Sequence, residues 1–331
     1  EGRESGIYVH NNGMGIYDGN EIHANTLAGV DVATGGNPNM RNNHIHSGKE
    51  RGIFVHDSGL GQFIANTIET NALAGIAVTT KGHPTVYDNQ IRGGRDAGVF
   101  VYDDGAGVFE RNNIYDNTLA GVKVKTGGNP NFKDNNIYDG KETGVCVFDQ
   151  GEGTFTHNVV HNNTLAGFEV KSFGNPKLVD NHIRDGRSQG ILIIESGRGH
   201  FEGNDIELNS ASGVEVATGA NPKMVSNAVH QGKENGIYIH NNGQGDFEGN
   251  DIYENMEAGI KVETGGNPMF KNNHIHDGRE NGIHVQNNGL GYFEENEIDL
   301  NSLPGINIET GSNPEFRKNT IHDGKESGIF I

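Results

Sequence analysis

The triplet His44-Ile45-His46 returns as His274-Ile275-His276 and has the residue types of a metal site. Imidazole nitrogens are common ligands of zinc, and two histidines two residues apart on a β-strand point to the same face. The triplets lie far apart in the chain but within nearly identical segments, GGNPNMRNNHIHSGK and GGNPMFKNNHIHDGR, so a repeat explains them equally well. The elements that carry the triplets therefore decide between a site and a surface pattern.

The whole chain follows a strict 23-residue period. Glycine recurs at this step from Gly6 to Gly328 without insertion or deletion, and four apolar columns share it. The invariant glycines predict corners that need a positive φ angle or no side chain. A column of asparagines keeps the same step at Asn20, Asn43, Asn66, Asn89, Asn112, Asn135, Asn158, Asn181, Asn204, Asn227, Asn250, Asn273, Asn296 and Asn319.

Each repeat contains three short β-rich runs that are separated by Gly, Asn, Asp and Pro. Stacking every run on its copy in the next repeat makes parallel sheets with a rise of ~4.8 Å per coil. Parallel connections within a sheet are almost always right-handed. The sequence therefore predicts an all-β fold, a right-handed parallel β-helix (a pectate-lyase-like solenoid) of about 14 coils of 23 residues. It should have three parallel sheets and an internal ladder of hydrogen-bonded asparagine amides.

Residues 1–331 are predicted to form a single β-helix domain. The turns alternate between two types along the chain, so the full repeat is a 46-residue unit of two coils. The segments EGRESGIYV and DGKESGIFI at the two ends occupy the same phase of the repeat. Because a solenoid needs capping, we expect a fragment of a longer solenoid or a segment that self-associates, end to end or laterally.

The amino-acid composition excludes several classes of partner and structure. The net charge is −19 and no basic run is present, which argues against nucleic acid and anionic membrane surfaces. No apolar run approaches the ~18 residues of a membrane span, so we expect no membrane insertion. A single cysteine, Cys146, excludes an internal disulfide framework. The sequence leaves the cellular compartment undetermined.

The histidine triplets follow from the repeat. In NHIH the side chain of Ile45 points inward, and His44 and His46 point outward. We interpret them as solvated surface residues and predict no metal site and no cofactor. The alternative is a cation held by His23, His46 and Glu69, in successive coils, and the same alternative applies to the pair His274 and His276.

No catalytic residue is predicted. Sugar cleavage requires two carboxylates at a fixed spacing in one cleft, whereas the acids here recur with the repeat. Local breaks of the repeat occur at His83, Phe173 and Pro304, and none brings together an acid, a base and a cation.

One outward-facing set of residues does suggest function. In every second coil the outward positions of the "GI-V" run are mostly aromatic or apolar, and charged or small residues separate them. Contiguous apolar surface usually marks a contact, so we predict a docking face for a protein or a glycan, with rings stacking on sugars. The alternative is that such residues simply suit the outer face of a strand. The predicted binding residues are Tyr8, Phe54, Phe100, Tyr102, Phe148, Leu192, Ile194 and Tyr238.

The combination G-x-NP-x4-N-x-I-x2-G-x3-G-I-x-V-x3-G-x-G resembles the parallel β-helix repeats shared by carbohydrate-binding proteins and sugar hydrolases. It is most similar to the β-helix of an F-box protein, the substrate receptor of a ubiquitin ligase, and similar repeats occur in bacterial right-handed β-helix proteins. The pectate-lyase-like enzymes share this architecture, but the NTD and RIK signatures of polygalacturonases are absent from this sequence.

Three functional hypotheses follow. The first is a non-enzymatic β-solenoid that serves as a protein- or glycan-binding module or as a structural rod. The second is a polysaccharide lyase, epimerase or hydrolase of the pectate-lyase-like class. The third, which the resemblance implies, is the substrate-recognition region of a ubiquitin-ligase F-box protein.

Overall fold

The structure, a computed structural model, describes residues 3–331, and these contain strands and turns but no helix. None of the described chain therefore forms a helix long and apolar enough to cross a membrane. The all-β prediction is confirmed. The chain divides into two compact units after Thr164, and each is described by itself below. That residues 1–331 form a single domain stays a prediction.

The amino-terminal unit contains three parallel sheets of seven strands each. The first sheet contains β1 (Ile7–Val9), β4 (Val30–Val32), β7 (Ile53–Val55), β10 (Ile76–Val78), β13 (Val99–Val101), β16 (Val122–Lys125) and β19 (Val145–Phe148). The second contains β2 (Met14–Asp18), β5 (Asn37–Arg41), β8 (Gln62–Ile64), β11 (Thr85–Tyr87), β14 (Val108–Glu110), β17 (Asn131–Lys133) and β20 (Thr154–Thr156). The third contains β3 (Glu21–His23), β6 (His44–His46), β9 (Thr67–Glu69), β12 (Gln90–Arg92), β15 (Asn113–Tyr115), β18 (Asn136–Tyr138) and β21 (Val159–His161).

The carboxy-terminal unit repeats this plan. Its first sheet contains β22 (Phe168–Val170), β25 (Ile191–Ile193), β28 (Val214–Val216), β31 (Ile237–Ile239), β34 (Ile260–Val262), β37 (Ile283–Val285), β40 (Ile306–Ile308) and β43 (Ile329–Phe330). The second contains β23 (Lys177–Val179), β26 (His200–Glu202), β29 (Lys223–Val225), β32 (Asp246–Glu248), β35 (Met269–Lys271), β38 (Tyr292–Glu294) and β41 (Glu315–Arg317). The third contains β24 (His182–Arg184), β27 (Asp205–Glu207), β30 (Ala228–His230), β33 (Asp251–Tyr253), β36 (His274–His276), β39 (Glu297–Asp299) and β42 (Thr320–His322).

Strands pair in parallel with the register that the repeat predicts. Ile53 pairs with Ile76 and Ile237 pairs with Ile260, in each case the equivalent residue of the next repeat. One coil gives one strand to each sheet, so each unit holds seven complete coils, which confirms the predicted total of about 14. Because identical positions lie one above the other, the side chains form continuous columns.

The core is a narrow column of aliphatic and phenylalanine side chains. Every strand is short, and its central or flanking apolar residues alternate with outward residues. Phe109 and Phe132 stack with ring centroids 4.5 Å apart, and Phe247 and Phe270 do so at 4.4 Å. All four rings are buried. Such complete burial along a column explains how a chain with 33% apolar residues can fold.

The predicted asparagine ladder is present in each unit. The Nδ2 of Asn43 donates to Oδ1 of Asn66 at 2.9 Å, and the backbone N–H of Asn43 donates to the same oxygen at 3.0 Å. The Nδ2 of Asn66 also donates to the carbonyl of Met40 at 3.1 Å. In the carboxy-terminal unit, Nδ2 of Asn204 donates to Oδ1 of Asn227 at 2.8 Å. Each asparagine amide thus forms hydrogen bonds both with the next asparagine side chain and with the backbone.

The invariant glycines act through lack of space. A Cβ at Gly29 would lie 2.6 Å from Cγ2 of Ile45 and 2.7 Å from the carbonyl oxygen of Gly52, so no side chain fits. Gly29 itself does not need a positive φ angle. The left-handed positions are instead filled largely by polar residues such as Asn42, at φ 53°, and Asp88, at φ 61°.

Candidate binding surface

The residues predicted to bind a partner lie on the outer face of the first sheet in each unit. In strand β13, Val99 and Val101 are fully buried, whereas Phe100 between them points outward and is half-buried. The same alternation places Tyr8 outside β1 and Phe54 outside β7. Strand geometry therefore positions these rings, because neighbouring residues of a strand face opposite sides of the sheet.

In three coils of the amino-terminal unit, the two outward rings of one coil lie against each other. The pairs Tyr8–His10 and Phe54–His56 are stacked, and the rings of Phe100 and Tyr102 are tilted by 32°. The centroid distances are 4.4 Å for Tyr8 and His10, 4.3 Å for Phe54 and His56, and 4.5 Å for Phe100 and Tyr102. Side chains stand roughly perpendicular to a sheet, so rings that stack along a strand turn their faces to each other. Ring edges and polar atoms are what these pairs present to solvent.

Cations from the same coil or from a neighbouring coil cover part of the remaining ring surface. The guanidinium carbon of Arg51 lies 4.5 Å from the centroid of the Phe54 ring. The Nζ of Lys125 lies 5.9 Å from the ring of Phe100 and 6.0 Å from that of Phe148, between the two. These distances are those of cation–π interactions. The first sheet of this unit is therefore a banded face, in which aromatic coils alternate with coils that carry charged or small residues.

The banded face is less exposed than its sequence pattern suggests. Tyr8 is 55% exposed. The other predicted binding residues of this unit, Phe54, Phe100, Tyr102 and Phe148, are half-buried. Coils only ~4.8 Å apart leave no gap between long side chains, so each ring is flanked by the coils on either side. That these residues bind a partner stays a prediction.

The first sheet of the carboxy-terminal unit carries a different mixture. Leu192 and Ile194 are half-buried aliphatic residues on its outer face. Two coils further on, the rings of Tyr238 and His240 stack with centroids 4.3 Å apart. The Nζ of Lys261 lies 5.5 Å from the Tyr238 ring. In this unit the predicted residues therefore lie beside polar groups that the sequence pattern did not indicate.

Glu215 is the first of these polar groups. Nε2 of His240 lies 3.1 Å from its Oε1, and Nε2 of Gln189 donates to its Oε2 at 2.7 Å. Burial raises the pKa of the Glu215 carboxyl, but the hydrogen bonds with His240 and Gln189 outweigh burial and hold the pKa below its ordinary value. The carboxylate therefore stays ionised near neutral pH.

Glu263 forms a second network in the same unit. The Tyr238 hydroxyl donates to its Oε1 at 2.5 Å, and Nε2 of Gln286 donates to its Oε2 at 2.5 Å. Burial raises the pKa of Glu263, but these hydrogen bonds outweigh it and the net shift is downward. Burial and the Glu263 carboxylate raise the pKa of Tyr238 well above its ordinary value. Near neutral pH the tyrosine therefore keeps its proton and the glutamates remain ionised.

The sequence missed Glu215, Glu263 and Gln189. A signal was present, because the acids occupy outward positions in the coils next to the aromatic ones. The contacts from His240 to Glu215 and from Tyr238 to Glu263 both span 25 residues, one coil plus two positions. The 23-residue period by itself indicates only direct neighbours, which are equivalent residues of successive repeats.

The third sheet carries the histidine triplets. Nε2 of His46 lies 3.3 Å from Oε1 of Glu21, and Nε2 of His44 lies 2.8 Å from Oε1 of Glu69. His23 instead stacks on His46, with ring centroids 5.1 Å apart. The ligand set that the structure brings together is Glu21, His44 and His46, within 4.8 Å of one another. It differs from the alternative set of His23, His46 and Glu69 because outer-face contacts run diagonally between coils.

Two further clusters with metal-ligand chemistry lie on the third sheet of the carboxy-terminal unit. They are Asp251, His274 and His276, and His182, Asp205 and Glu207. In each, one ligand atom per residue lies within 4.8 Å of the others. The His274–His276 pair is evident in the sequence, whereas Asp251, the acid in the preceding coil that faces both rings, was not predicted.

Known structures with this architecture include enzymes that act on polysaccharides. The periplasmic alginate epimerase AlgG superposes with a TM-score of 0.55 at 12% identity, over 81% of this chain and 78% of that one. The A-module of the mannuronan C-5 epimerase AlgE6 from Azotobacter vinelandii superposes with a TM-score of 0.56 at 13% identity, over 89% and 90%. The corresponding module of AlgE4 gives a TM-score of 0.53 at 13% identity, over 89% of both chains. At such identities the likeness concerns the fold.

A family profile described as a right handed beta helix region matches residues 1–132, 120–268 and 223–331. Together these matches include every residue of the chain. They agree with the three parallel sheets, the 23-residue register and the asparagine ladder of each unit. The chain therefore belongs to the family of right-handed β-helix proteins.

Proposed function

We propose that the protein is a non-enzymatic binding module that holds a partner protein against the outer face of the first sheet. The observation that carries the proposal is the pairing of outward rings within three coils of the amino-terminal unit. The ring centroids of each pair lie 4.3–4.5 Å apart, so ring edges and the phenol hydroxyls of Tyr8 and Tyr102 remain for a partner. Clustered aromatic residues with flanking cations are typical of the energetic centres of protein interfaces.

The net charge of the chain indicates the surface charge that a partner should have. The chain carries a net charge of −19, so long-range electrostatics favours a partner with a basic surface and disfavours a polyanion. Lys125, placed between Phe100 and Phe148, offers one ammonium group for an acidic residue of that partner. Substrate recognition in a ubiquitin ligase, which the sequence resemblance implies, would be one form of such protein binding.

Three acid–base groups of the first sheet in the carboxy-terminal unit favour binding over catalysis. A lyase or epimerase needs a base and an acid that exchange protons near the operating pH. Tyr238 keeps its proton because its pKa is raised, and Glu215 and Glu263 stay ionised because theirs are lowered. Each of these groups is hydrogen-bonded to another residue of the chain. The polysaccharide-enzyme hypothesis is therefore the less favoured one.

A polysaccharide ligand is the second candidate. The similar structures are an alginate epimerase and mannuronan C-5 epimerases, and long glycans suit a repeating surface. The band of Phe100, Lys125 and Phe148 offers apolar ring edges beside a hydrogen-bond donor. The acidic chain favours a neutral glycan over an acidic one.

The test compares two variants with the unmodified protein in affinity capture from cell extract, followed by mass spectrometry, and on a glycan array. Replacing Phe100 and Phe148 with serine removes the aromatic band but leaves the core intact, because both rings lie outside it and are half-buried. Partner proteins should be lost with this variant. Ile64→Ser, on the outer face of the second sheet in the same unit, is the matched control and should retain them.

Each outcome has a defined meaning. Equal capture by the double variant and the unmodified protein would remove the first-sheet face from consideration. Array binding to neutral glycans that is lost in the double variant, without any captured protein, would favour the second candidate. Conversion of an alginate or a pectin by the unmodified protein would overturn the non-enzymatic assignment.

A further inference from the structure

Two histidines of strand β36 face one aspartate of the preceding coil. Oδ1 of Asp251 lies 3.0 Å from Nε2 of His276 and 3.6 Å from Nδ1 of His274. Strands β33 and β36 are paired in parallel with Asp251 opposite His274, so the backbone fixes this proximity. Zinc bonds to imidazole nitrogen and carboxylate oxygen at ~2.0–2.2 Å, and modest side-chain rotations would bring all three atoms to that distance of one ion.

The other nitrogen of each ring is already held by a different carboxylate. Nδ1 of His276 lies 2.8 Å from Oδ2 of Asp277, and Nε2 of His274 lies 2.9 Å from Oδ1 of Asp299. Histidines that bind metals almost always donate their second N–H to such a group, which fixes the tautomer and aims the free lone pair at the metal. Both rings of this cluster therefore have the support that a metal site requires.

The donor set defines the class of ion. Two imidazole nitrogens and one carboxylate oxygen suit zinc and its first-row neighbours, whereas calcium and magnesium prefer oxygen ligands throughout. Asp251, Asp277 and Asp299 give the cluster a local excess of negative charge that favours a cation. The Asp251 side chain is 50% exposed and that of His274 is 40% exposed, so an ion can enter from solvent.

The amino-terminal unit provides an internal comparison. There Glu21 faces His46 across 3.3 Å, and His44 is held by Glu69 at 2.8 Å. The Nδ1 of His46, however, lies 3.0 Å from the hydroxyl of Ser47 instead of a carboxylate. This cluster therefore lacks one of the two carboxylate supports and should bind more weakly.

We propose that Asp251, His274 and His276 form a binding site for a divalent transition-metal ion of the zinc class, oriented by Asp277 and Asp299. The ion links strands β33 and β36 on the outer face of the third sheet. The site does not depend on partner binding, because the proposed partner face is on the first sheet. Neither the periodicity of the sequence nor the family assignment indicates it.

The test uses the full chain with Co²⁺, whose visible absorption reports its ligands, and with Zn²⁺ in calorimetric titration at neutral pH. The unmodified protein should bind one Co²⁺ ion more tightly than any further Co²⁺ ions. Its melting temperature should be higher with Zn²⁺ than without it. H274A/H276A should lose that binding and the rise in melting temperature. H44A/H46A, the matched control at the weaker cluster, should keep both.

A second variant separates metal binding from folding defects. D277N leaves all three ligands in place but removes a carboxylate behind His276, and it should weaken Co²⁺ binding roughly 10–100-fold. Circular dichroism without metal should show that every variant folds. Undiminished tight Co²⁺ binding by H274A/H276A, loss of that binding in H44A/H46A, or an unchanged affinity of D277N would each overturn the assignment.

Discussion

Oδ1 of Asn71 accepts a hydrogen bond from the backbone N–H of Gly48, one coil earlier, at 3.0 Å. Its Nδ2 donates to the carbonyl of Ile45 at 3.3 Å, and the side chain is buried. A Cβ at position 48 would lie 3.0 Å from the same oxygen, so glycine in one coil makes room for asparagine in the next. This alternation, repeated at Gly94 and Asn117, gives a physical origin for the 46-residue repeat.

Replacing Asn71 with alanine should destabilise the amino-terminal unit by roughly 1–3 kcal/mol, because the N–H of Gly48 and the carbonyl of Ile45 lose a buried partner. Chemical denaturation measures the change in the free energy of unfolding. Asn129→Ala, at an exposed residue of the same unit, is the control and should change that free energy by no more than about 0.5 kcal/mol. Equal effects at the two positions would contradict the assigned role of Asn71.

Replacing an asparagine of the main ladder with alanine should cost little stability at the exposed end of the ladder and much more in its middle. Oδ1 of Asn112 accepts two hydrogen bonds from Asn89, at 2.9 Å and 3.1 Å, and its Nδ2 donates to Asn135 at 2.9 Å. Asn112→Ala should therefore cost about 2–5 kcal/mol, as several buried groups lose partners together. Asn20 is exposed, and Asn20→Ala should cost less than about 1 kcal/mol. Denaturation curves that shift equally for both variants would show that the stabilisation by a ladder asparagine does not depend on its burial.

Two phenylalanines in adjacent coils should respond very differently to truncation. Phe132 is fully buried and stacks between Phe109 and Phe155, so Phe132→Ala should destabilise its unit by about 3–5 kcal/mol. Phe148 is outside the core, and Phe148→Ala should cost about 1 kcal/mol through lost contact with Lys125. Thermal and denaturant unfolding of the two variants provide the comparison. A larger effect at Phe148 would place its ring in the core and contradict the structure.

The hydrogen-bonded carboxylate of Glu215 should make the free energy of unfolding depend on pH in the acidic range. Its pKa in the folded chain is below that in the unfolded chain, so its contribution is present above about pH 4 and is lost as the pH falls through the folded pKa. Glu215→Gln should therefore lower the melting temperature by a few degrees at pH 7, and the difference from the unmodified protein should shrink below about pH 4.

A double variant isolates the cause of that acid dependence. With His240 and Gln189 replaced by alanine, the carboxylate loses its two partners, and Glu215→Gln should then have a smaller effect at pH 7. An undiminished effect in that background would mean that other groups lower the pKa of Glu215.

In the part of the chain that the structure describes, ten histidines lie within hydrogen-bond distance of a carboxylate 25 residues away, one coil plus two positions. Equivalent positions of successive repeats are direct neighbours in the backbone pairing, which is why the alternative ligand set joined His23 with His46 and left out Glu21, the neighbour of His44. Backbone pairing does follow that 23-residue step. Long side chains lean along the strand, however, so their tips meet those of a diagonal neighbour.

The sequence by itself determined the fold, because a strict 23-residue period gives each inward position a copy above and below it. Register, three sheets, a buried asparagine ladder and an apolar column from Ile22, Ile45 and Ile68 all follow from that period. Only the tertiary structure decided how the side chains of the outer face are arranged. There backbone pairing sets only which residues are neighbours, and side-chain length and direction bring the rings of Phe100 and Tyr102 together and turn His274 and His276 toward Asp251.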